Sequence, residues 1–139
     1  MPDIRYVCMS DMHLGEEDSL LTHLESGRVA ASEPSPVAES LAECLKWLIS
    51  KNEVKERKPT LILNGDIPEI ALTTVNQALM AFECFVRLLM PEEEPLFGNE
   101  IVYIPGNPDH HFWETARETQ YVDYIQRHKP GEHLRIPWH

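Results

Sequence analysis

The sequence predicts an α/β fold on a mainly parallel sheet, and three observations predict it. Three short apolar runs, at residues 4–9, 60–63 and 100–104, are rich in Ile, Val, Leu and Tyr. They mostly lack polar alternation, the mark of strands covered on both faces. Segments with helical apolar spacing follow them, giving the order β-α-β-α-β-α, and crossover helices between strands favour parallel pairing.

The first run ends in Val7-Cys8-Met9 and opens into a polar stretch, 14–36, that contains Gly27, Pro34 and Pro36. This stretch reads as irregular, with a short helix expected around 19–25. Ser35 is a suitable N-cap and Pro36 a suitable first helical residue for the next element. Its predicted apolar stripe is Val37, Leu41, Cys44, Leu45, Leu48 and Ile49. The second run, Thr60 to Leu63, is followed by a helix predicted over 74–90, with Val75, Ala78, Leu79, Phe82, Val86 and Leu89 on one face. Thr74 and Gln77 have capping-box spacing and Pro91 stops the helix. An acidic turn, Glu92-Glu93-Glu94, precedes the third run. A weaker stripe, Trp113, Ala116, Tyr121, Tyr124 and Ile125, predicts a last helix ended by Pro130-Gly131.

With 139 residues, 42% of them apolar, the chain reads as a single domain able to bury a core. Twelve Lys and Arg against 23 Asp and Glu leave a net charge of −11. That excess argues against nucleic acid as a partner and against a polybasic membrane anchor. No apolar run reaches the roughly 20 residues of a membrane span. The opening residues lack the features of a secretion signal, and Cys8, Cys44 and Cys84 lie in apolar runs. Reduced core thiols in a cytoplasmic protein are therefore expected.

Each strand runs into a cluster of potential ligands: Ser10-Asp11-Met12-His13, Asn64-Gly65-Asp66-Ile67-Pro68-Glu69 and Gly106-Asn107-Pro108-Asp109-His110-His111. In open parallel sheets the carboxyl ends of the strands line the ligand crevice, so three clusters distant in sequence converge there. Asp11 and His13 leave the strand two residues apart, which suits one borderline divalent ion, and a carboxylate such as Asp66 can bridge two. Any one of these motifs alone reads as an ordinary loop cap or turn. Together, each closing a strand, they gather carboxylates and an imidazole of the kind that suits a divalent ion. Adjacent residues on a helix project about 100° apart, so His110 and His111 are not expected to share an ion. His23, His128, His133 and His139 read as surface residues. Trp47, Phe82, Phe85 and Trp113 read as core or interface.

In these motifs the sequence resembles the calcineurin-like metallophosphoesterases, whose Asp-x-His, Gly-Asp-x-x-Asp/Glu and Gly-Asn-His-Asp/Glu motifs also follow successive strands. The matching residues are Asp11-Met12-His13, Gly65-Asp66-Ile67-Pro68-Glu69 and Gly106-Asn107-Pro108-Asp109, within a likeness running from about residue 4 to 111. The resemblance implies that Asp11 and His13 bind a first metal, that Asp66 bridges two and that Asn107 binds the second. It makes Glu69 a supporting acid, as in members resembling UDP-2,3-diacylglucosamine pyrophosphohydrolase. Pro108 stands where the family has a histidine, and His110 and His111 are the candidates for its catalytic role. The family's later lone histidine and Gly-His-x-His motif have no counterpart before His139, so the chain reads as the first half of an α-β-β-α sandwich.

The function so implied is a metal-dependent hydrolase, a phosphatase of phosphoester or phosphoanhydride bonds. Its cofactors would be two divalent ions (Mn, Fe or Zn) carrying a bridging hydroxide, and its partner a phosphorylated small-molecule substrate. The alternative is a catalytically incompetent binding or assembly module. In either case the connecting helices are expected on one side of the sheet, leaving the other face free for a homodimer.

Overall fold

A computed structural model of the chain describes residues 2–107 and 109–127. The chain falls into two compact units, Met1–Asp109 and His110–His139. The first contains β1 (Tyr6–Met9), β2 (Thr22–Glu25), β3 (Arg28–Pro34), α1 (Pro36–Ile49), β4 (Thr60–Asn64), α2 (Val75–Leu89) and β5 (Ile101–Ile104). The second contains α3 (His110–Arg127). The fold is mixed α/β with a parallel sheet in the order β1-β4-β5, β4 at its centre.

The caps form as the sequence dictates. Ser35 accepts a hydrogen bond from the Ala38 amide, and Thr74 accepts one from the Gln77 amide. Gln77 does not close the capping box; its side-chain amide donates instead to the Gly15 carbonyl at 2.8 Å. That bond fastens the start of α2 to the loop after β1.

The stretch expected to hold a short helix forms an antiparallel hairpin, β2–β3, inserted before α1. Glu25 pairs with Arg28 across the two-residue turn Ser26-Gly27, where φ is +52° and +76°. Positive φ at both turn residues matches the right-handed twist of the flanking strands, and glycine adopts it without a Cβ penalty. That turn signal outweighed the helical spacing of the residues before it.

The core lies on one face of the sheet. Leu61 and Leu63 of β4 pack with Ala42 and Leu45 of α1 and with Ala81, Phe85 and Leu89 of α2. Both crossover helices therefore share one side, as expected. The expected double burial of the strands does not occur. Val7, Met9, Ile101 and Tyr103 pack on the core, whereas Tyr6, Cys8, Val102 and Ile104 are exposed. A strand turns successive side chains to opposite faces, so helices on one side can bury only alternate residues. The same geometry overturns the expectation of core thiols, with Cys8 on the outward face, Cys44 on the outer side of α1 and Cys84 half-buried.

The helix faces are also rotated from the predicted stripes. α1 buries Ala38, Ala42 and Leu45, while Val37, Cys44 and Leu48 are exposed. α2 buries Ala78 and Leu89 of the predicted stripe together with Ala81 and Phe85, while Val75 and Leu79 are exposed. Alanines at the contact let the helix backbones approach closely, an advantage that a stripe of bulky side chains does not reveal. On α3, described by itself, the stripe residues Trp113, Ala116, Tyr121 and Ile125 are exposed and Tyr124 is half-buried. Trp113 lies under the Arg117 guanidinium at 4.6 Å, and Trp47 of α1 is likewise exposed, under Lys51. No helix among the described residues is long and apolar enough to cross a membrane. Pro108, the Pro130-Gly131 helix stop and the histidines at 128, 133 and 139 lie outside the described residues.

Phe97, in the connection from α2 to β5, is completely buried in the same core. The backbone around it is tied by Leu96 N to Leu89 O and Gly98 N to Pro59 O, each at 3.0 Å. Truncation there leaves a large cavity that bonded backbone cannot collapse. Phe97→Ala is expected to cost about 3–5 kcal/mol in urea unfolding; a loss below about 1 kcal/mol would show that the connection repacks freely.

Candidate metal centre

The loops after β1 and β4 are laced together by their backbones. Asp11 N donates to Gly65 O at 3.1 Å, Met12 N and His13 N both donate to Asp66 O at 2.9 and 3.0 Å, and Leu14 N donates to Ile67 O at 2.8 Å. Glu69 N returns a bond to Leu14 O at 3.0 Å. This lacing carries the parallel pairing past the sheet into the loops and brings side chains from both onto one spot.

Three residues there hold a left-handed backbone: Asp11 at φ +52°, His13 at +48° and Asp66 at +52°. Among the described residues, Ser26 of the hairpin turn is the only other non-glycine with positive φ. Each such residue costs of order 1–3 kcal/mol, a strain that persists only where its surroundings over-determine it. Here the strained residues are also the candidate donors. Carboxylate oxygens of Asp11 and Asp66 and a ring nitrogen of His13 lie within 4.8 Å of one another.

Asp66 carries a telling defect. Its Oδ1 is buried and has no hydrogen-bond partner. A buried carboxylate oxygen left bare costs free energy, and a cation removes that cost. Gly106, after β5, faces the same group: a Cβ at that position would collide with the Asp66 carboxylate and lie 2.9 Å from the Gly65 Cα. Glycine is thus required for the β5 loop to close against Asp66. The donor chemistry, two carboxylates with an imidazole, fits a divalent transition ion.

Behind His13 stands Glu69, buried to 3% exposure. Glu69 Oε2 lies 2.7 Å from His13 Nδ1, and Oε1 accepts from the amides of Ala71 and Leu72 at 2.7 and 3.1 Å. A neutral imidazole donating through Nδ1 presents Nε2 as the ligand atom, the arrangement that commonly orients metal-binding histidines. The hydrogen bond to Glu69 raises His13's pKa above its usual value, against the opposing effect of burial. Burial pushes Glu69 upward, but His13 and the two amides outweigh it and the carboxyl ends below its usual value. Glu16 Oε2, 3.9 Å from His13 Nδ1, adds a further carboxylate at the rim.

Sequence reasoning placed Asp109 in the third motif without a task of its own and passed over the Tyr103 hydroxyl, yet the two brace the third loop. Asp109 is fully buried and accepts from the Tyr103 hydroxyl, from Gly106 N and, at 3.4 Å, from Ile67 N. Burial and the Asp109 carboxylate together push the Tyr103 hydroxyl far above the usual tyrosine range. The available signal was an aspartate three residues beyond a glycine at a strand end, a spacing that allows its carboxylate to cap the turn amide.

Of the residues expected to form the site, Asp11, His13 and Asp66 meet, with Glu69 in support. Asn107 lies exposed in the turn directly after Gly106. His110 and His111 open α3 in the second unit, where they group with Glu114. Their rings stand 4.1 Å apart rather than diverging as the helical spacing predicts.

The His13–Glu69 pair makes stability pH-dependent in the metal-free chain. His13's contribution is complete below the ordinary imidazole value and is lost as pH rises through its raised folded value. Glu69's is complete above the ordinary carboxylate value and is lost as pH falls through its lowered folded value. The pair thus stabilises most between those two limits. In an NMR titration of the imidazole, Glu69→Gln is expected to return His13 toward about 6.5; an unmoved titration would show that Glu69 does not hold the ring.

No protein-family model, curated protein or solved structure matches the chain, so the reading of this centre stands on its donor atoms, strained turns and hydrogen bonds.

Proposed function

We propose that the chain is a metal-dependent phosphoester or phosphoanhydride hydrolase of the calcineurin-like kind, with Asp11, His13 and Asp66 holding a divalent ion. The observation that carries this reading is the bare, buried Oδ1 of Asp66, set beside two donors on strained backbone. Asn107, one residue beyond Gly106, is the candidate donor to a second ion. A bound ion of this kind polarises a phosphoryl oxygen and acidifies water.

The chain's own residues would supply position. Glu69 fixes the His13 ring through Nδ1. Asp66 is immobilised by its backbone bonds to Met12 and His13 and by the close approach of Gly106. Asp109, gripping Tyr103 and the Gly106 amide, keeps the third loop against the second. Donors held in place before substrate arrives reorganise little during reaction. Beside Asp11 and His13, an open groove lined by Ser10, Ser19, Leu20 and Val37 gives a small phosphorylated substrate access.

Mn²⁺ calorimetry and turnover of an aryl phosphate test this reading. Asp66→Asn is expected to lower Mn²⁺ affinity at least about tenfold and to abolish metal-dependent turnover. Unchanged Mn²⁺ affinity in that variant overturns the assignment. Mn²⁺ binding without turnover in the parent chain favours a second reading, a binding or assembly module.

That second reading draws on the outward sheet face, where Tyr6, Cys8, Val102 and Ile104 are exposed together. Contiguous apolar surface of this kind marks interfaces. A two-fold dimer through this face is the expected assembly. Light scattering should give twice the chain mass, and Val102→Lys should return the monomer mass; a monomeric parent chain at micromolar concentration excludes it.

A further inference from the structure

The first turn of α3 carries His110, His111 and Glu114, whose donor atoms all lie within 4.8 Å of one another. Adjacent helical side chains diverge by about 100° on spacing alone. These two imidazoles nevertheless approach to 4.1 Å between ring centroids, with 34° between their planes. Glu114 stands one helical turn on from both, at i+4 and i+3, and its Oε2 lies 3.1 Å from His111 Nδ1. All three side chains are exposed to solvent.

We propose that His110, His111 and Glu114 form a second divalent-cation site, selective for zinc or a similar borderline ion and sharing no donor with the centre at the sheet end. The other three-donor groups among the described residues, Asp11–His13–Asp66 and His13–Glu16–Glu69, both depend on His13. This one does not. Two imidazoles and a carboxylate are a donor set that suits zinc, nickel or copper better than magnesium or calcium. Donors around tetrahedral zinc, with bonds of about 2.1 Å, sit roughly 3.4 Å apart. The His111–Glu114 separation is already close to that spacing. The helix dipole opposes a cation at this end, and the Glu114 carboxylate offsets it. With three protein donors, the fourth position of a tetrahedral ion is left to water or another small ligand.

Zn²⁺ calorimetry on the full 139-residue chain tests the site, with Asp66→Asn isolating it from the sheet-end centre. Asp66→Asn is expected to retain one Zn²⁺ per chain, with the His110 and His111 ring resonances shifting together as it binds. Adding His111→Ala or Glu114→Gln to that variant should each lower this affinity at least about tenfold, with helical circular dichroism unchanged. An unaltered isotherm in both double variants, or loss of all Zn²⁺ binding in Asp66→Asn alone, overturns the proposal. Neither α3 substitution touches a donor of the sheet-end centre, so Mn²⁺ binding there succeeds or fails independently.

Discussion

The backbone carbonyl of Asp66 accepts two amides, from Met12 and His13, and the arrangement of the whole first unit turns on that shared acceptor. It sits where β1 and β4 have ended and their side-by-side pairing would otherwise stop. By gathering two consecutive amides, it forces the chain after β1 to curl tightly and leaves Asp11 and His13 in left-handed conformations. Those conformations are unfavourable in isolation. They hold because the strands beneath are anchored by Leu61 and Leu63, which are almost completely buried under α1 and α2. The energy of an ordinary apolar core is thereby converted into fixed donor positions at the sheet end.

The bracing is layered outward from that point. Glu69 reaches back from the β4 loop to orient His13, and it is itself satisfied by two amides of its own loop. Asp109 ties the β5 loop to the β4 loop through Gly106, Tyr103 and Ile67. Each loop therefore answers to its neighbour. The unpartnered oxygen of Asp66 is conspicuous because the polar groups around it are so fully bonded.

Much of this was legible in the sequence, for definite reasons. Parallel strands declare themselves as unbroken apolar runs, and the residues that close them (Asp11 with His13, Asp66 and Glu69, Asn107) are polar in a way that a plain turn does not require. The caps Ser35 and Thr74 were legible because their chemistry is local. The hairpin was not, because its evidence is the single dipeptide Ser26-Gly27 among residues that also fit a helix. Nor were the helix faces in full, since the contact alanines at 38, 42 and 81 contribute closeness rather than bulk. The one-sided sheet was legible from crossover handedness and not from the strands themselves. An apolar run states that both faces are suited to burial, and the neighbours that would provide it are not written in the strand. The brace between Tyr103 and Asp109 spans a strand and its turn, and hydrophobic patterning carries no trace of it.

The register of β1 against β4 pairs Cys8 with Ile62, residues more than fifty positions apart along the chain. Contacts of such separation form only after a long loop has closed, which makes them late and slow compared with a local hairpin like β2–β3, which closes in about 1–10 μs. Asp11 and His13 cannot meet Asp66 before that closure, so the donor set has no precursor in the unfolded chain. An ion gripped by these residues would consequently do little to hasten folding. It would act after the last step, stabilising the folded chain by binding it and not the unfolded one.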